Sequence, residues 1–202
     1  MAPSPGDVVE NPDFAVIGLG NPGERYAITR HNFGSRVLDA LARDAGAEFR
    51  PAAGPCRICS FTADQVGGIL AKPTTYMNHS GLAGRAILDR FHELRLSRFL
   101  VVTDDLDLPL GRVRFRGAGG NGGHNGLRSL IEELGSGEFP RLRLGIGRPG
   151  ADGPGDVVDH VLDPFLSDEM EIVNEVVDRA TAGVRVFIGE GIESAMNRFN
   201  AE

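Results

Sequence analysis

Two short apolar runs place the strongest constraint on how this chain can fold. Phe14–Ile17 and Phe99–Val102 contain only apolar residues and have the length of a strand that is buried on both faces. The first run ends at the glycines of GLGNPG, and the second ends at an acidic cluster, Asp104 to Asp107. Because a doubly buried strand needs a layer above and below it, these runs predict an α/β domain with a covered sheet.

The rest of the chain alternates helical patterns with strand patterns. A helix is predicted from Ser35, which suits an N-cap, to Ala45, with Gly46 just past its end. A second helix is predicted over 81–94, where the residues at helical spacing are Leu82, Ala86, Ile87, Phe91 and Leu94. Two further helices are predicted, one after GAGGNGGHNG and one from Ser167 onward. Strands are predicted at RICSFTA and GGILAK, which are joined through Asp64 to Gly67, at RVRFR (112–116) and at RLRLGIG (141–147). We therefore expect residues 1–202 to form a single three-layer α/β domain, with a mixed, mostly parallel twisted sheet and helices on both faces. Residues 1–12 are expected to form a flexible arm, 148–156 a Gly/Pro-rich surface loop, and 167–202 the C-terminal helices.

Composition excludes several classes of protein. A chain of 202 residues can bury a sufficient core without disulfides or a structural metal. The start MAPSPGDVVENP has neither a basic flank nor an apolar stretch, and the sequence lacks a run of about 18 apolar residues. We expect a cytoplasmic protein without a membrane span.

Charge is distributed unevenly along the chain, although the formal total is −7. Residues 111–148 hold seven Arg against three Glu, whereas 151–202 hold three Arg against twelve acids. Twenty of the 21 basic residues are Arg, whose planar guanidinium suits bidentate contact with phosphate. The whole-chain charge therefore does not exclude a nucleic-acid partner.

Two further motifs carry little weight. The spacing of Gly18, Gly20 and Gly23 matches G-x-G-x-x-G, but helical periodicity begins only near Ser35, too late for a dinucleotide-binding turn. The CxxC of residues 56–59 lies in a strand pattern that places the two thiols on opposite faces, and no further zinc ligands have matching spacing. We interpret the cysteines as ordinary thiols.

His31 and Asp104 are candidates for catalysis. His31 lies in a polar loop after the first strand, and Asp104 lies at the carboxyl end of a later strand. Ligands of open α/β sheets bind at such positions. A His that a carboxylate holds in one tautomer can activate a water molecule. The alternative is a solvated loop His and a helix-capping Asp.

Asparagines and a glycine loop complete the candidate site. Asn21, Asn78 and Asn125 each adjoin turn residues, which turn propensity alone can explain. If they converge on a cleft, their amides can donate to an oxyanion and bind peptide or ribose groups. The loop GAGGNGGHNG allows a ligand to approach the backbone, and we expect the helix after it to offer its N-terminus to a phosphate. The arginines that flank this predicted phosphate site are Arg114, Arg116, Arg128, Arg141 and Arg143.

Taken together, these segments resemble the signatures of the bacterial peptidyl-tRNA hydrolase family. The matching segments, in order, are VIGLGNPGERYAITRHNFG, KPTTYMNHSG, DDLDLPLGRVRFRGAGGNGGHNGLRSLI and FPRLRLGIGRP, from about Phe14 to Arg148. The resemblance implies a monomeric α/β hydrolase that needs no metal or other cofactor. It also implies a substrate, peptidyl-tRNA, whose peptide ester at the 3′ ribose of the CCA end is cleaved so that tRNA from abortive translation is recycled.

The resemblance also implies a role for each matching residue. The catalytic His of the family falls on His31, and its carboxylate partner falls on Asp104. The family's amides fall on Asn21, Asn78 and Asn125. We expect Asn21 to stabilise the oxyanion, and Asn78 and Asn125 to hold the peptide and the 3′ end. The tRNA-phosphate contacts fall on Arg114 and Arg143, and cleft neighbours on Tyr26, Met77 and His124. The chain departs from the family pattern at Thr103, commonly His, at Asp105, usually Glu, and at Ala118 in the glycine run.

Two alternatives remain open at this point. A non-catalytic RNA-binding protein of the splicing-factor type could use the same scaffold, although the hydrolase residues are present here. A nicotinamide-dependent oxidoreductase would depend on the weak glycine motif alone.

Overall fold

The computed structural model describes residues 9–149 and 157–201, and within them the strands form one mixed sheet. The strands are β1 (Phe14–Gly18), β2 (Arg50–Pro51), β3 (Cys56–Ala63), β4 (Val66–Pro73), β5 (Phe99–Asp105), β6 (Val113–Arg116) and β7 (Arg141–Gly145). Their order is β2-β3-β4-β1-β5-β7-β6. The central strands β4, β1, β5 and β7 run parallel, and the outer pairings are antiparallel. The predicted mixed α/β sheet is confirmed.

Helices cover both faces of the sheet. They are α1 (Phe33–Asp44), α2 (Ser80–Arg90), α3 (Asn125–Leu134), α4 (Val157–Leu162), α5 (Met170–Glu190) and α6 (Ile192–Phe199). Alternate side chains of β1 point to opposite cores: Phe14 and Val16 pack with α1 and α5, whereas Ala15 and Ile17 pack with α2 and α3. The three-layer arrangement predicted from the sequence is therefore present.

The first helix begins earlier than predicted. Ser35 is not its N-cap, because the 3-10 turn Arg30–Asn32 leads directly into α1 and the Ser35 N–H donates to the Leu19 carbonyl at 3.0 Å. Gly34 makes this close docking possible: a Cβ there would lie 2.2 Å from the carbonyl oxygen of Val102. Gly46 follows the helix in the left-handed region, with φ of 62°, as predicted.

The second predicted helix is shorter than expected. It ends at Arg90, and Leu82, which we expected in the core, is 43% exposed. Ile87, Phe91 and Leu94 are buried, as their spacing predicts, although Phe91 and Leu94 lie beyond the end of α2. The buried residues at the start of α2 are small, because Gly81 approaches α3 so closely that a Cβ would lie 2.1 Å from the Ser129 carbonyl oxygen.

The hairpin of β3 and β4 turns through Asp64 and Gln65 only, both with positive φ, as a two-residue hairpin requires. Cys56 and Cys59 are buried in opposite cores, and burial raises the pKa of Cys59 to about 12, which fits unreactive thiols.

The ends and loops of the chain are described only in part. Val9, in the predicted arm, donates its N–H to Ser60 of β3 at 3.3 Å, whereas residues 1–8 lie outside the described residues. Residues 150–156 of the predicted surface loop and residue 202 also lie outside them. The short α4, which follows that loop, was not predicted. Within residues 9–149 and 157–201, no helix combines the length and hydropathy that crossing a membrane requires.

Candidate active site

His31 and Asp104 meet at the carboxyl edge of the parallel strands. Asp104 lies near the end of β5, and His31 lies in the 3-10 turn after β1, the parallel neighbour of β5. His31 Nδ1 is 3.0 Å from Asp104 Oδ2 and 3.1 Å from Oδ1. Both side chains are buried, with 10% and 2% of their side-chain surfaces exposed. The structure thus places the two residues in direct contact.

The charge of Asp104 decides the protonation of this pair. Burial alone would lower the pKa of His31, but the charge of Asp104 and its hydrogen bond outweigh burial and raise that pKa above 6.5. Burial likewise opposes ionisation of Asp104, yet His31 and His124 together hold its pKa well below its ordinary range. Asp104 is therefore a carboxylate at neutral pH. Because His31 Nδ1 donates to it, Nε2 is the basic nitrogen of the ring.

His124 also contacts Asp104, which the sequence did not indicate. Its Nε2 lies 3.0 Å from Asp104 Oδ1, and its Nδ1 accepts hydrogen bonds from the N–H groups of Gly126 and Leu127 at 3.1 and 3.3 Å. His124 is thus the N-cap of α3. The imidazole therefore occupies two of the N–H groups at the helix N-terminus that we expected to face a phosphate. The polar residue directly before a helical pattern was the available signal.

The same three side chains have the residue types of a metal centre. The ligand atoms of His31, Asp104 and His124 lie within 4.8 Å of one another. Two ring nitrogens, His31 Nδ1 and His124 Nε2, are hydrogen-bonded to the Asp104 carboxylate. The three side chains therefore form a hydrogen-bonded network centred on Asp104.

Asn21 is fixed by two loops. Its Oδ1 accepts the backbone N–H of Met77 at 2.8 Å, and its backbone N–H and carbonyl bind the side chain of Asn32 at 2.8 and 2.9 Å. Its Nδ2 makes no hydrogen bond to any described residue, so it remains a donor. Met77 itself is buried, and its sulfur lies so close to Gly126 that a Cβ there would be 2.6 Å away. The Asn21 loop is therefore packed against α3.

The remaining amides and Tyr26 occupy different parts of this region. Asn125 begins α3 and lines the same cleft as His31 and Asp104. Asn78 is exposed in the 3-10 turn Met77–His79. Tyr26 packs edge to face on Tyr76, with ring centroids 6.4 Å apart. The structure thus brings Asn125 to the cleft and gathers Asn21, Met77, Asn78 and Tyr26 around an adjoining loop.

The cleft itself has a volume of about 640 Å³. Its lining includes the glycine loop, residues 119–123, and an apolar part formed by Leu106 and the valines of α4. Asp104 and His31 lie among its lining residues. A cavity of this size that joins apolar walls to a few polar groups is typical of a ligand site.

Four arginines lie on one face of the β6–β7 pair. The register places Arg114 opposite Arg143 and Arg116 opposite Arg141, and direct cross-strand neighbours point to the same side. Arg116, Arg141 and Arg143 line the cleft, whereas Arg114 and Arg128 do not. The resemblance had assigned phosphate contacts to Arg114 and Arg143 but not to Arg116.

The cleft arginines differ in what they already contact. Arg141 is 2% exposed and donates to the carbonyls of Gly120 and Gly137 at 2.7 and 2.9 Å, so it supports the loop. Arg143 pairs with Asp105. Arg116 is exposed and has no ion pair with any described residue. It is therefore the cleft arginine whose charge is least compensated.

Comparisons with known proteins give matches over most of the chain. The sequence model of the family described as Peptidyl-tRNA hydrolase matches residues 15–202. The chain is 50% identical over 189 residues to a peptidyl-tRNA hydrolase of Synechococcus sp. (strain JA-2-3B'a(2-13)), covering 92% of this chain and 82% of that protein. It is 48% identical over 190 residues to that of Symbiobacterium thermophilum, covering 92% and 97%.

A solved structure gives the same fold. The crystal structure of peptidyl-tRNA hydrolase from Acinetobacter baumannii superposes with a TM-score of 0.84 at 33% identity, covering 97% of this chain and 98% of that one. The similarity thus extends over the sheet and the helices that position the site.

Proposed function

Because the chain belongs to the peptidyl-tRNA hydrolase family, we propose that it hydrolyses the ester bond between the peptide and the tRNA of peptidyl-tRNA. The observation that carries the proposal is the buried hydrogen bond of 3.0 Å between His31 Nδ1 and Asp104. It leaves Nε2 of His31 as a base at the cleft. An RNA-binding protein without catalysis has no need of this pair, and the hydrolase is therefore favoured.

In the proposed mechanism, His31 Nε2 removes a proton from a water molecule, whose oxygen attacks the ester carbonyl. Asp104 stabilises the imidazolium that forms. Asn21 Nδ2 donates to the developing oxyanion, since its Oδ1 is already occupied by the Met77 N–H. The ester C–O bond then breaks, and the 3′ oxygen of the ribose takes the proton from His31. The products are tRNA with a 3′ hydroxyl and a peptide carboxylic acid, which releases its remaining proton to solvent and becomes a carboxylate.

The substrate is proposed to lie along the arginine face. Its CCA end would enter the cleft, with Asn78 and Asn125 holding the 3′ end and the peptide, and Tyr26, Met77 and His124 as neighbours. Acceptor-stem phosphates would contact Arg143, Arg116 and Arg114, which lie on one side of β6 and β7. We propose that residues 1–202 act as one catalytic domain, as a monomer and without a metal ion.

The arginine face gives a prediction about salt. We expect the double variant Arg116→Ala, Arg143→Ala to bind tRNA more weakly and with a shallower dependence on salt. Each lost phosphate contact should reduce the slope of log K against log[salt] by about one. Binding of free tRNA, titrated at several salt concentrations, measures this slope. The matched control is Arg85→Ala, an exposed arginine paired with Asp89 on α2, and an unchanged slope in the double variant would contradict the tRNA path.

The activity is tested with an N-acetylated aminoacyl-tRNA, which mimics peptidyl-tRNA. We expect the wild-type protein to release the acetylated amino acid, and free tRNA to compete. An unacetylated aminoacyl-tRNA serves as the control for the blocked amine. Binding of the substrate without cleavage of the ester would favour the RNA-binding alternative instead.

A further inference from the structure

His124 connects the start of α3 to Asp104. Its Nδ1 lies near two backbone N–H groups, and its Nε2 lies 3.0 Å from Asp104 Oδ1. Backbone N–H groups can only donate, so Nδ1 is the unprotonated nitrogen. A neutral imidazole carries one proton, which must therefore lie on Nε2 and point to the carboxylate. The surroundings thus select one tautomer.

We propose that His124 is a positioning residue, held by the first amides of α3 as the neutral Nε2–H tautomer, whose proton orients Asp104 toward His31. The inference rests on the proposed function, because it concerns how the base of that reaction is held. Two N–H donors, one from each imidazole, converge on Asp104. With both in place, the carboxylate is fixed in rotation without contacting solvent, since its side chain is 2% exposed.

His124 provides this contact without adding a charge. Protonation of its Nδ1 would place a third N–H group against the two amides, at the positive end of a helix. A neutral donor partly satisfies Asp104 but does not compete with His31 as a cation would. His124 therefore also moderates how strongly Asp104 attracts the proton of His31.

Thr103 is a second acceptor for the Nε2–H group of His124. Its Oγ1 lies 2.8 Å from His124 Nε2, and its hydroxyl donates to the Asp104 carbonyl at 3.2 Å, which leaves a lone pair facing the imidazole. The other charged groups nearby are engaged elsewhere. Arg30, on the turn of His31, binds the Pro164 carbonyl and Glu169, and Asp105 pairs with Arg143. The titratable groups that face His31 are thus Asp104 from β5 and His124 from α3.

Two substitutions of His124 distinguish its role as the N-cap of α3 from its hydrogen bond to Asp104. His124→Asn retains an acceptor near the Nδ1 position, so it can still cap α3, but it is too short to donate to Asp104. His124→Gln places an N–H near the Nε2 position but loses the cap. We expect the Asn variant to raise the pKa of His31 by about half a unit to one unit and to lower turnover about tenfold, because Asp104 loses a donor. The Gln variant should keep the pKa of His31 near the wild-type value.

Nuclear magnetic resonance of the protein without substrate measures both properties. Nitrogen shifts should identify His124 as unprotonated at Nδ1 and protonated at Nε2 near neutral pH, and titration of the ring signals gives the pKa of His31. Thr103→Val removes the hydroxyl that shares the Nε2–H group of His124, so this group then donates to Asp104 alone. We expect the variant to lower the pKa of His31 slightly.

Several results would overturn the proposal: the opposite tautomer, an Asn variant with unchanged His31 pKa, or equal shifts in the Asn and Gln variants. These readings do not depend on ester hydrolysis. An inactive wild-type protein would therefore contradict the proposed function while leaving the inference about His124 testable.

Discussion

Replacing Asp104 with Asn is expected to lower the turnover of peptidyl-tRNA by about 10⁴-fold, as the same exchange does in serine-protease triads. The Asp104 carboxylate accepts the Nδ1–H of His31, 3.0 Å away. An Asn side chain can instead present its own N–H group to Nδ1. His31 would then carry its proton on Nε2, and the nitrogen that faces the cleft would no longer be a base.

The same substitution should change the pH dependence of the residual activity. In the wild-type protein the charge and hydrogen bond of Asp104 raise the pKa of His31 above 6.5. Without Asp104 only burial remains, and burial lowers the pKa of His31 below 6.5. The acid limb of the residual rate should therefore move to lower pH. Single-turnover hydrolysis of an N-acetylated aminoacyl-tRNA measures both effects. Asp107→Asn, in the same cleft and paired with Arg148, is the matched control, and equal losses in the two variants would contradict the account.

Replacing His31 with Ala is expected to lower turnover by about 10²- to 10⁴-fold, the contribution of a general base. Affinity for free tRNA should remain, because only 8% of His31 is exposed and the arginine face lies on β6 and β7. A variant that loses turnover but keeps its affinity for tRNA has lost the base and not the fold.

The measurement compares kcat, KM and tRNA affinity with those of His92→Ala. His92 is exposed and lies outside the cleft, so its removal should leave all three unchanged. If His31→Ala retains near wild-type turnover, another group must activate the water.

The contact between His31 and Asp104 could be predicted from the sequence because it depends on local patterns. Phe14–Ile17 and Phe99–Val102 are recognisable as buried strands, and both are parallel neighbours in the structure. A polar residue after each strand then falls at one edge of the sheet. The regularity of parallel sheets thus converts two local signals into a tertiary contact.

Other features could not be predicted, because they depend on partners that are distant in the chain. The exposure of Leu82 and the burial of small residues at the start of α2 depend on the approach of Gly81 to α3, which hydrophobic periodicity does not register. The contact of His124 with Asp104 and the burial of Arg141 depend on how α3 and β7 meet β5. The selection of Arg116 for the cleft depends on the register of β6 with β7.

The pH dependence of ester hydrolysis tests whether His31 is the general base. If His31 is the base, kcat/KM rises with pH until His31 is neutral, and the midpoint of this limb is the pKa of His31 in the free enzyme. We predict a midpoint above 6.5 that coincides with the pKa of His31 measured by nuclear magnetic resonance, because the charge of Asp104 outweighs burial. A rate limb that does not follow the titration of His31, or a His31 pKa below 6.5, would contradict the account.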